Sequence, residues 1–223
     1  MTEPLIPRGR AEPAPGVVHV PGWLEPEARA RLVRACREWA RPPAGLAVTR
    51  LPGGGVMSVR SVSLGWQWVP YRYVRTAPDG APVKPFPGWL GDLGRRAVTE
   101  AYGPAAAHDY APDVALVNFY APGAHMALHQ DKDELTDAPV VSLSLGEACL
   151  FRLGNTEIRG RPWQDLRLDS GDLLVFGGPS RFVYHGVPKT LAGTADPAAG
   201  LREGRLNITI RVTGLGGGRD GGG

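Results

Sequence analysis

From about residue 114 onward, the chain consists of short apolar or alternating runs that are separated by Gly, Pro and Asp residues. In chain order, the runs are ALVNFY, VVSLSL, ACLFRL, DLRL, DLLVF, RFVYH and RLNITIRV. Six or seven short strands with such punctuation predict an antiparallel sandwich or barrel. A dinucleotide-binding or P-loop fold fits poorly, because the glycines at 53–55 lack the lysine and the helix that bind phosphates in such folds.

Upstream of these strands, the spacing of apolar residues predicts two helices. Residues 25–40 place Pro26 in a first turn and repeat apolar residues at intervals of three and four, which is typical of an amphipathic helix. A second helix is predicted from about residue 87 to 102 on the same grounds. The expected fold class is therefore mainly β with flanking helices.

The length of 223 residues and the 43% hydrophobic content suit one domain with its own core. The Gly/Pro-rich residues 1–15 and 214–223 are predicted to be flexible termini. No apolar run reaches the roughly 18–20 residues of a membrane span, and no leader opens the chain, so we expect a soluble protein. Cys36 and Cys149 are expected to be buried free thiols, which fits a reducing cytoplasm.

The net charge of +3 is small, but it is unevenly distributed. Residues 1–110 carry 14 basic and 9 acidic side chains, whereas residues 111–223 carry 11 and 13. A basic half beside an acidic half suggests that an anionic partner docks on one side of the domain. Scattered, solvated arginines would give the same count, so charge alone leaves the partner open.

Three polar residues in or beside the predicted strands suggest a metal site. His129 and Asp131 lie two residues apart, so both side chains of an extended segment point to the same face. His185 closes another apolar run. Two imidazoles and one carboxylate are the ligand set of a non-haem Fe(II) facial triad, although the same ligands also suit zinc. The alternative is a solvated loop carboxylate and an ordinary histidine at a strand end.

The segment 205–211, RLNITIR, alternates strictly between polar and apolar residues. Arg205, Asn207, Thr209 and Arg211 therefore line one face of a strand, with the two arginines roughly 13 Å apart at about 3.3 Å per residue. Guanidinium groups at that separation suit the two ends of a small dianion. An ordinary half-exposed strand is the alternative. Upstream of the His/Asp segment, Asn118 and Tyr120 form a similar pair that shares one face of a strand.

Taken together, the motifs NFYAPGAHMALHQDKDE, SLSLG, YHG and RLNITIR resemble the AlkB family of Fe(II)/2-oxoglutarate-dependent nucleic-acid dealkylases. The resemblance covers about residues 113–213, and an LGW…Y…Y segment extends it upstream. It implies a double-stranded β-helix, or jelly roll, with N-terminal helices and a nucleotide-recognition lid. A single dioxygenase domain would span residues 16–213, with the lid at about 50–85 and the jelly-roll core at 113–213.

The resemblance also implies roles for single residues. His129, Asp131 and His185 occupy the iron-ligand positions. Arg205 matches the arginine on the distal carboxylate of 2-oxoglutarate, and Arg211 matches the one near the carboxylate that chelates iron. The residues that match the polar groups completing this pocket are Asn118, Tyr120 and Asn207.

The reaction implied by the resemblance is oxidative demethylation of bases such as N1-methyladenine and N3-methylcytosine, preferably in single-stranded DNA. It consumes O₂ and 2-oxoglutarate and releases formaldehyde, succinate and CO₂. Asp133 matches the carboxylate that meets the damaged base, and Trp66 and Tyr73 match aromatic residues of the lid. Trp68 and Tyr71 are further aromatic residues of this segment that align less securely. Either Arg159 or Arg161 matches a basic residue near the substrate. Four arginines in or near the predicted lid are expected to contact phosphates: Arg50, Arg60, Arg72 and Arg75.

Other functions remain open from the sequence alone. A 2-oxoglutarate oxygenase acting on a small molecule, a protein or RNA would share the triad and the two arginines. A jelly-roll module without catalytic activity is a further alternative. For the main hypothesis, we expect a cytoplasmic monomer with no membrane contact, and we assign no chemistry to the loop predicted at residues 188–204.

Overall fold

The structure, a computed structural model, describes residues 8–216. The helices of this part of the chain are α1 (Pro26–Trp39), α2 (Gly88–Tyr102) and the short α3 (Pro104–Ala107), with 3₁₀ turns at Gly178–Ser180 and Pro197–Ala199. The strands are β1 (Ala11–Ala14), β2 (Val17–Val20), β3 (Ala47–Arg50), β4 (Val56–Leu64), β5 (Gln67–Val69), β6 (Arg72–Val74), β7 (Val114–Tyr120), β8 (Met126–His129), β9 (Val140–Gly146), β10 (Ala148–Leu153), β11 (Gln164–Leu168), β12 (Leu173–Phe176), β13 (His185–Leu191) and β14 (Arg205–Arg211).

Two antiparallel sheets form the body of the molecule. The main sheet has the order β1-β2-β12-β9-β14-β7-β4-β3, and the minor sheet has the order β11-β10-β13-β8. Tyr120 and Phe176 from the main sheet share a buried cluster with Phe151, Leu168 and Val187 from the minor sheet. This cluster forms the core between the two sheets. The arrangement confirms the predicted jelly roll.

The helices cover the opposite face of the main sheet. Leu32 and Val33 of α1 and Leu90 of α2 belong to one buried cluster with Ile208 and Ile210 of β14. Both long helices begin and end within one residue of the predicted bounds. Within residues 8–216, no helix has both the length and the apolar character needed to cross a membrane.

Strand β14 is buried along its whole length, so the alternative of a half-exposed strand is wrong. Its apolar residues face the helices, because they lie in the cluster that the helices share. Its polar residues alternate with the apolar ones and therefore face the space between the two sheets. Four polar side chains thus line the interior of the jelly roll.

The structure corrects several predicted boundaries. Residues 11–14 form an edge strand of the main sheet rather than part of a flexible terminus. The run RFVYH is not a strand: β13 begins only at its last residue, His185, and continues to Leu191, so the predicted loop at 188–204 starts too early. Of the predicted tail 214–223, only residues 214–216 lie within the described residues.

The segment predicted as a lid, residues 50–85, is divided between two structures. Strand β4 pairs with β7 and with β3, so residues 56–64 belong to the main sheet. Only β5 and β6 form a separate two-stranded hairpin. The lid prediction therefore applies to this β5–β6 hairpin and its flanking residues.

Candidate active site

The structure brings the three predicted metal ligands together. His129 ends β8 and His185 begins β13, and the two residues are direct partners across the minor sheet. Asp131 lies 3.6 Å from each imidazole Nε2 through its two carboxylate oxygens. All three ligand atoms lie within 4.8 Å of one another, and they form the one such metal-ligating cluster found within residues 8–216.

Backbone carbonyls orient both imidazoles. The Nδ1 atoms of His129 and His185 lie 3.0 Å from the carbonyl oxygens of Ala127 and Val183, respectively. A neutral imidazole that donates through Nδ1 keeps its Nε2 lone pair for a metal ion. Both Nε2 atoms face Asp131, so the donor atoms converge on one point.

The electrostatic environment keeps Asp131 and His185 in the protonation states that a metal needs. Burial alone would raise the pKa of Asp131, but the positive charges of Arg211 and its neighbours outweigh it and hold the pKa at about 2. Burial, together with the neighbouring His129, lowers the pKa of His185 to about 4. At neutral pH the carboxylate is therefore ionised and His185 is neutral, as metal binding requires.

The Asp131 carboxylate retains capacity to bind a cation. Arg211 Nη2 lies 2.7 Å from Asp131 Oδ2, yet no donor among the described residues points at this buried oxygen with hydrogen-bond geometry. Oδ2 therefore has a positively charged neighbour but no hydrogen-bond donor directed at it. Two imidazole nitrogens and a carboxylate oxygen on one side of a cavity fit Fe(II) in a facial triad.

The same cavity contains a buried arginine without a carboxylate partner. Arg205 is 1% exposed, and no carboxylate within residues 8–216 lies within 4.0 Å of its guanidinium. Its Nη2 donates to Ser144 Oγ at 3.2 Å, and its Nε has no acceptor in the described part of the chain. Burying an unpaired charge is costly. An anionic ligand would therefore be stabilised here.

Neutral polar groups complete the cavity. Asn207 donates to Ser142 Oγ at 2.8 Å and to the Leu143 carbonyl at 3.2 Å, while Thr209 donates to Asn207 Oδ1 at 3.0 Å. The five predicted 2-oxoglutarate residues all line this cavity with the metal ligands. They are Asn118, Tyr120, Arg205, Asn207 and Arg211. The sequence analysis missed the apolar lining residues Met126, Phe151 and Phe176.

A buried charge network beside the metal ligands was also missed. Glu134 Oε1 accepts hydrogen bonds from Tyr73 Oη at 2.5 Å and from Arg211 Nη1 at 3.0 Å. Glu134 Oε2 accepts from Arg181 Nη2 at 3.0 Å. Burial would raise the pKa of Glu134, but Arg211 is the main group that keeps it below its ordinary value. The network connects the β5–β6 hairpin to a metal ligand through Arg211.

Arg181 also fixes the loop that carries Asp131. Its Nη1 donates to the Asp131 carbonyl at 2.5 Å, and its Nε donates to the Ala138 carbonyl at 2.6 Å. Together with the bond to Glu134, these contacts span residues 131–138. A single arginine or glutamate in a loop gives no periodic signal. Although Glu134 ends the QDKDE motif and Arg181 lies four residues before His185, the sequence alone did not reveal their roles.

The residues predicted to contact the base, Trp66, Tyr73 and Asp133, lie outside the lining of the metal cavity. Tyr73 is 8% exposed, and its hydroxyl is engaged by Glu134. Asp133 accepts a hydrogen bond from Trp68 Nε1 at 2.7 Å, which joins it to the hairpin. Trp66 donates to Asp113 at 3.1 Å. Among the described residues that line the metal cavity, none of these side chains is found.

The two predicted arginines of the β10–β11 connection are both exposed. Arg161 lies over the Trp163 ring at 4.8 Å, and Arg152 approaches the same ring at 4.6 Å. Gln130 donates to the Thr156 carbonyl at 3.2 Å, so this connection touches the residue between the two metal ligands His129 and Asp131. Arg159 and Arg161 therefore extend from a segment that borders the metal site.

Comparison with known proteins agrees with this geometry. Residues 16–211 match the model of the 2OG-Fe(II) oxygenase superfamily. The chain is 39% identical over 170 residues to the alpha-ketoglutarate-dependent dioxygenase AlkB of Escherichia coli (strain K12), covering 73% of this chain and 75% of that protein. It is 38% identical over 204 residues to the AlkB homolog of Caulobacter vibrioides (strain NA1000 / CB15N), covering 88% and 87%, respectively.

A solved structure, that of OsALKBH1, matches this fold with a TM-score of 0.79 at 31% identity. The match covers 90% of this chain and 100% of that chain. The predicted enzyme class and the predicted cofactors are confirmed by these similarities together with the His129, Asp131 and His185 cluster. The chain belongs to the AlkB family of dioxygenases, which use Fe(II), 2-oxoglutarate and O₂.

Proposed function

We propose that the protein removes N-alkyl groups oxidatively from bases such as N1-methyladenine and N3-methylcytosine, preferably in single-stranded DNA. The products are formaldehyde, succinate, CO₂ and the repaired base. The observation that supports this most directly is the cavity in which the metal-ligand cluster and the unpaired Arg205 lie together. A metal site and an anion site in one enclosed space suit 2-oxoglutarate-dependent oxidation.

Eight residues of the cavity have a proposed role. His129, Asp131 and His185 hold Fe(II), which, with 2-oxoglutarate and O₂ bound, supplies the oxidising chemistry. Arg205 neutralises the distal carboxylate of 2-oxoglutarate. Arg211, which is fixed by Glu134 and Asp131, lies by the carboxylate at the metal. The polar groups that orient the cosubstrate are Asn118, Tyr120 and Asn207.

Selection of the damaged base follows from its charge. N1-methyladenine and N3-methylcytosine carry a positive charge that undamaged bases lack, so a carboxylate beside aromatic faces favours them. Asp133 supplies the carboxylate, and its hydrogen bond to Trp68 keeps it on the side of the β5–β6 hairpin. The remaining substrate contacts are assigned to Trp66, Tyr73, Arg159 and Arg161.

The target atoms lie on the Watson–Crick edge, so the base must leave its stack before reaction. Single-stranded DNA meets this requirement at the lowest free-energy cost. We also propose that the protein acts as a monomer in the cytoplasm. The two cysteines, Cys36 and Cys149, are buried free thiols, which supports a reducing compartment.

The test uses purified protein with Fe(II), 2-oxoglutarate, ascorbate and a single-stranded oligonucleotide bearing one N1-methyladenine or N3-methylcytosine. Mass spectrometry follows the mass of the oligonucleotide, and succinate is measured in parallel. We expect loss of the methyl group with stoichiometric succinate. A parallel reaction with a matched RNA oligonucleotide shows whether the methyl group is removed faster from DNA or from RNA. Succinate release with a persistent methyl group in both would instead favour a small-molecule or protein substrate.

Two neighbouring aspartates provide the matched control. Asp131→Ala should abolish turnover because it removes a metal ligand, and bound iron should fall with it. Asp133→Ala should retain iron and 2-oxoglutarate binding while methyl removal declines, because Asp133 lies outside the ligand cluster. An equal loss of bound iron in both variants would show that the metal-binding carboxylate is misassigned.

A further inference from the structure

A groove separate from the metal cavity lies beside the β5–β6 hairpin. Its volume is about 560 Å³, which is within the roughly 300–1,000 Å³ of ligand-binding clefts. Flat apolar groups and one arginine form most of its wall. The lining residues used in the argument below are Trp66, Arg75, Pro85, Phe86, Pro112 and Asp113.

The groove adjoins the active site. Trp66 directly precedes β5 and Arg75 directly follows β6, so both flank the hairpin whose Tyr73 hydroxyl reaches Glu134. Asp113 directly precedes Val114, the register partner of Arg211 on β14. The groove therefore lies at the end of the main sheet where Arg211 meets Asp131. One hairpin borders both the groove and the metal site.

The arginine of the groove is available to bind an anion. The Arg75 guanidinium carbon lies 3.4 Å from the centre of the Trp66 ring, and Nη1 donates to the Gly65 carbonyl at 2.9 Å. No carboxylate in the described part of the chain lies within 4.0 Å of this exposed guanidinium. A stacked arginine of this kind presents its remaining N–H groups outward in a fixed plane.

The acidic residue of the groove does not oppose an anion strongly. Asp113 accepts hydrogen bonds from Trp66 Nε1 at 3.1 Å, from the Thr213 amide at 2.7 Å and from Thr213 Oγ1 at 2.5 Å. These three donors occupy its two oxygens. Its charge is therefore directed into the protein, while Arg75 faces the opening.

We propose that this groove binds a nucleotide adjacent to the damaged one in a single-stranded substrate. The inference rests on the proposed function, because it takes the substrate to be a single strand. The neighbouring base lies against Phe86 and the prolines, and Arg75 contacts the phosphate beside it. Aromatic faces combined with an arginine are the usual means of holding single-stranded nucleic acid without reading its sequence.

The groove's position and charge favour a nucleic acid over an apolar peptide. A strand that delivers one base to the metal must continue past the β5–β6 hairpin, which borders the groove. An apolar peptide would leave the charge of Arg75 without a partner, whereas a phosphate provides one. The occupant is therefore a flanking nucleotide of the same strand.

The experiment uses three nonameric single strands, each with N1-methyladenine at the centre. One strand has an abasic analogue directly 5′ of this base, one has it directly 3′, and one has none. In the wild type, removing the neighbouring base on one side should raise KM about fivefold or more, as expected for loss of a stacked base. Phe86→Ala should remove most of the difference between intact and abasic strands. Abasic substitutions without effect on either side would overturn the proposal.

Arg75→Gln should raise KM for the intact strand and lower the slope of log KM against log salt by about 0.7, since one phosphate contact is lost. Arg75→Lys keeps the charge, loses the planar stacking and should restore affinity only in part. Arg34→Gln, an exposed arginine on α1, is the matched control and should behave as the wild type. Equal effects of Arg75→Gln and Arg34→Gln would also overturn the proposal.

Failure of the proposed function is distinguishable from failure of this inference. If the wild type removes no methyl group, fluorescence anisotropy with the same strands lacking the methyl group still tests the groove. Weaker binding by Arg75→Gln and Phe86→Ala, but not by Arg34→Gln, supports a nucleotide site. Unchanged binding in all three variants contradicts it.

Discussion

Arg205 carries a buried charge that no carboxylate of residues 8–216 neutralises. Its charge is 1% exposed, with Ser144 Oγ and the Tyr120 ring among its nearest groups. In contrast, Arg211, which is also buried, is neutralised by Asp131 and Glu134. Two arginines on one strand face therefore differ: Arg211 is paired with protein carboxylates, whereas Arg205 has no carboxylate partner within residues 8–216.

This difference predicts opposite effects of Arg205→Met on stability and on cosubstrate use. The metal-free variant should unfold at an unchanged or higher denaturant concentration, because a buried unpaired charge is removed. KM for 2-oxoglutarate should rise more than about tenfold, because a charge-assisted hydrogen bond is lost. Denaturation curves and succinate kinetics measure the two effects. An unchanged KM would contradict the role assigned to Arg205, and Arg34→Met is the control.

Among the elements, the loop between β8 and β9 is held at three points by a single side chain. Arg181 bonds to the Asp131 carbonyl, to Glu134 and to the Ala138 carbonyl while only 1% exposed. Arg181→Met should destabilise the protein by about 3–5 kcal/mol, because it leaves buried acceptors unpaired. Arg167→Met, which breaks a largely exposed pair with Asp169, should cost less than about 1 kcal/mol. Urea denaturation compares the two, and similar costs would refute the role of Arg181.

The sequence predicted the elements and residues that carry a periodic or spaced signal. The alternation in RLNITIR identified the inward face of β14, and the His-x-Asp spacing identified two metal ligands. Glu134 and Arg181 were missed because their partners lie far away in the chain: Tyr73 on β6 and Arg211 on β14 contact Glu134, and Arg181 contacts the β8–β9 loop 43 to 50 residues upstream. Strand β4 was assigned to the lid because its pairing with β7 is a long-range contact that local sequence does not encode. Tertiary pairing, not local preference, decides such boundaries.

At the scale of the whole molecule, the N-terminal segment is an integral part of the jelly roll. Strand β2 pairs with β12 in the main sheet. Asp172, immediately before β12, accepts hydrogen bonds from Arg8 at 3.1 Å, from His19 Nε2 at 2.9 Å and from the Gly22 amide at 2.9 Å. One buried carboxylate thus holds three points of the N-terminal segment. The domain therefore includes residues from Arg8 onward, ahead of its predicted start at residue 16.

The Asp172 carboxylate makes the stability of the whole domain dependent on pH. Burial would raise the pKa of Asp172, but the hydrogen bond from His19 and those from backbone amides lower it below the ordinary value. A group whose pKa is lower in the folded state contributes stability above its unfolded pKa of about 4. That stability is lost as the pH falls through the lower pKa that the group has in the folded state. The wild type should therefore lose stability steeply below about pH 4.

Asp172→Asn tests this linkage. At pH 7 the variant should be less stable by about 1–3 kcal/mol, because a charged acceptor of several hydrogen bonds is lost. Between pH 4 and pH 2 the difference from the wild type should shrink, since protonation removes the same charge from the wild type. Asp109→Asn, at an exposed carboxylate, should follow the wild type at every pH. Chemical denaturation across this range measures the effect, and a difference independent of pH would show that the Asp172 charge does not anchor the N-terminal segment.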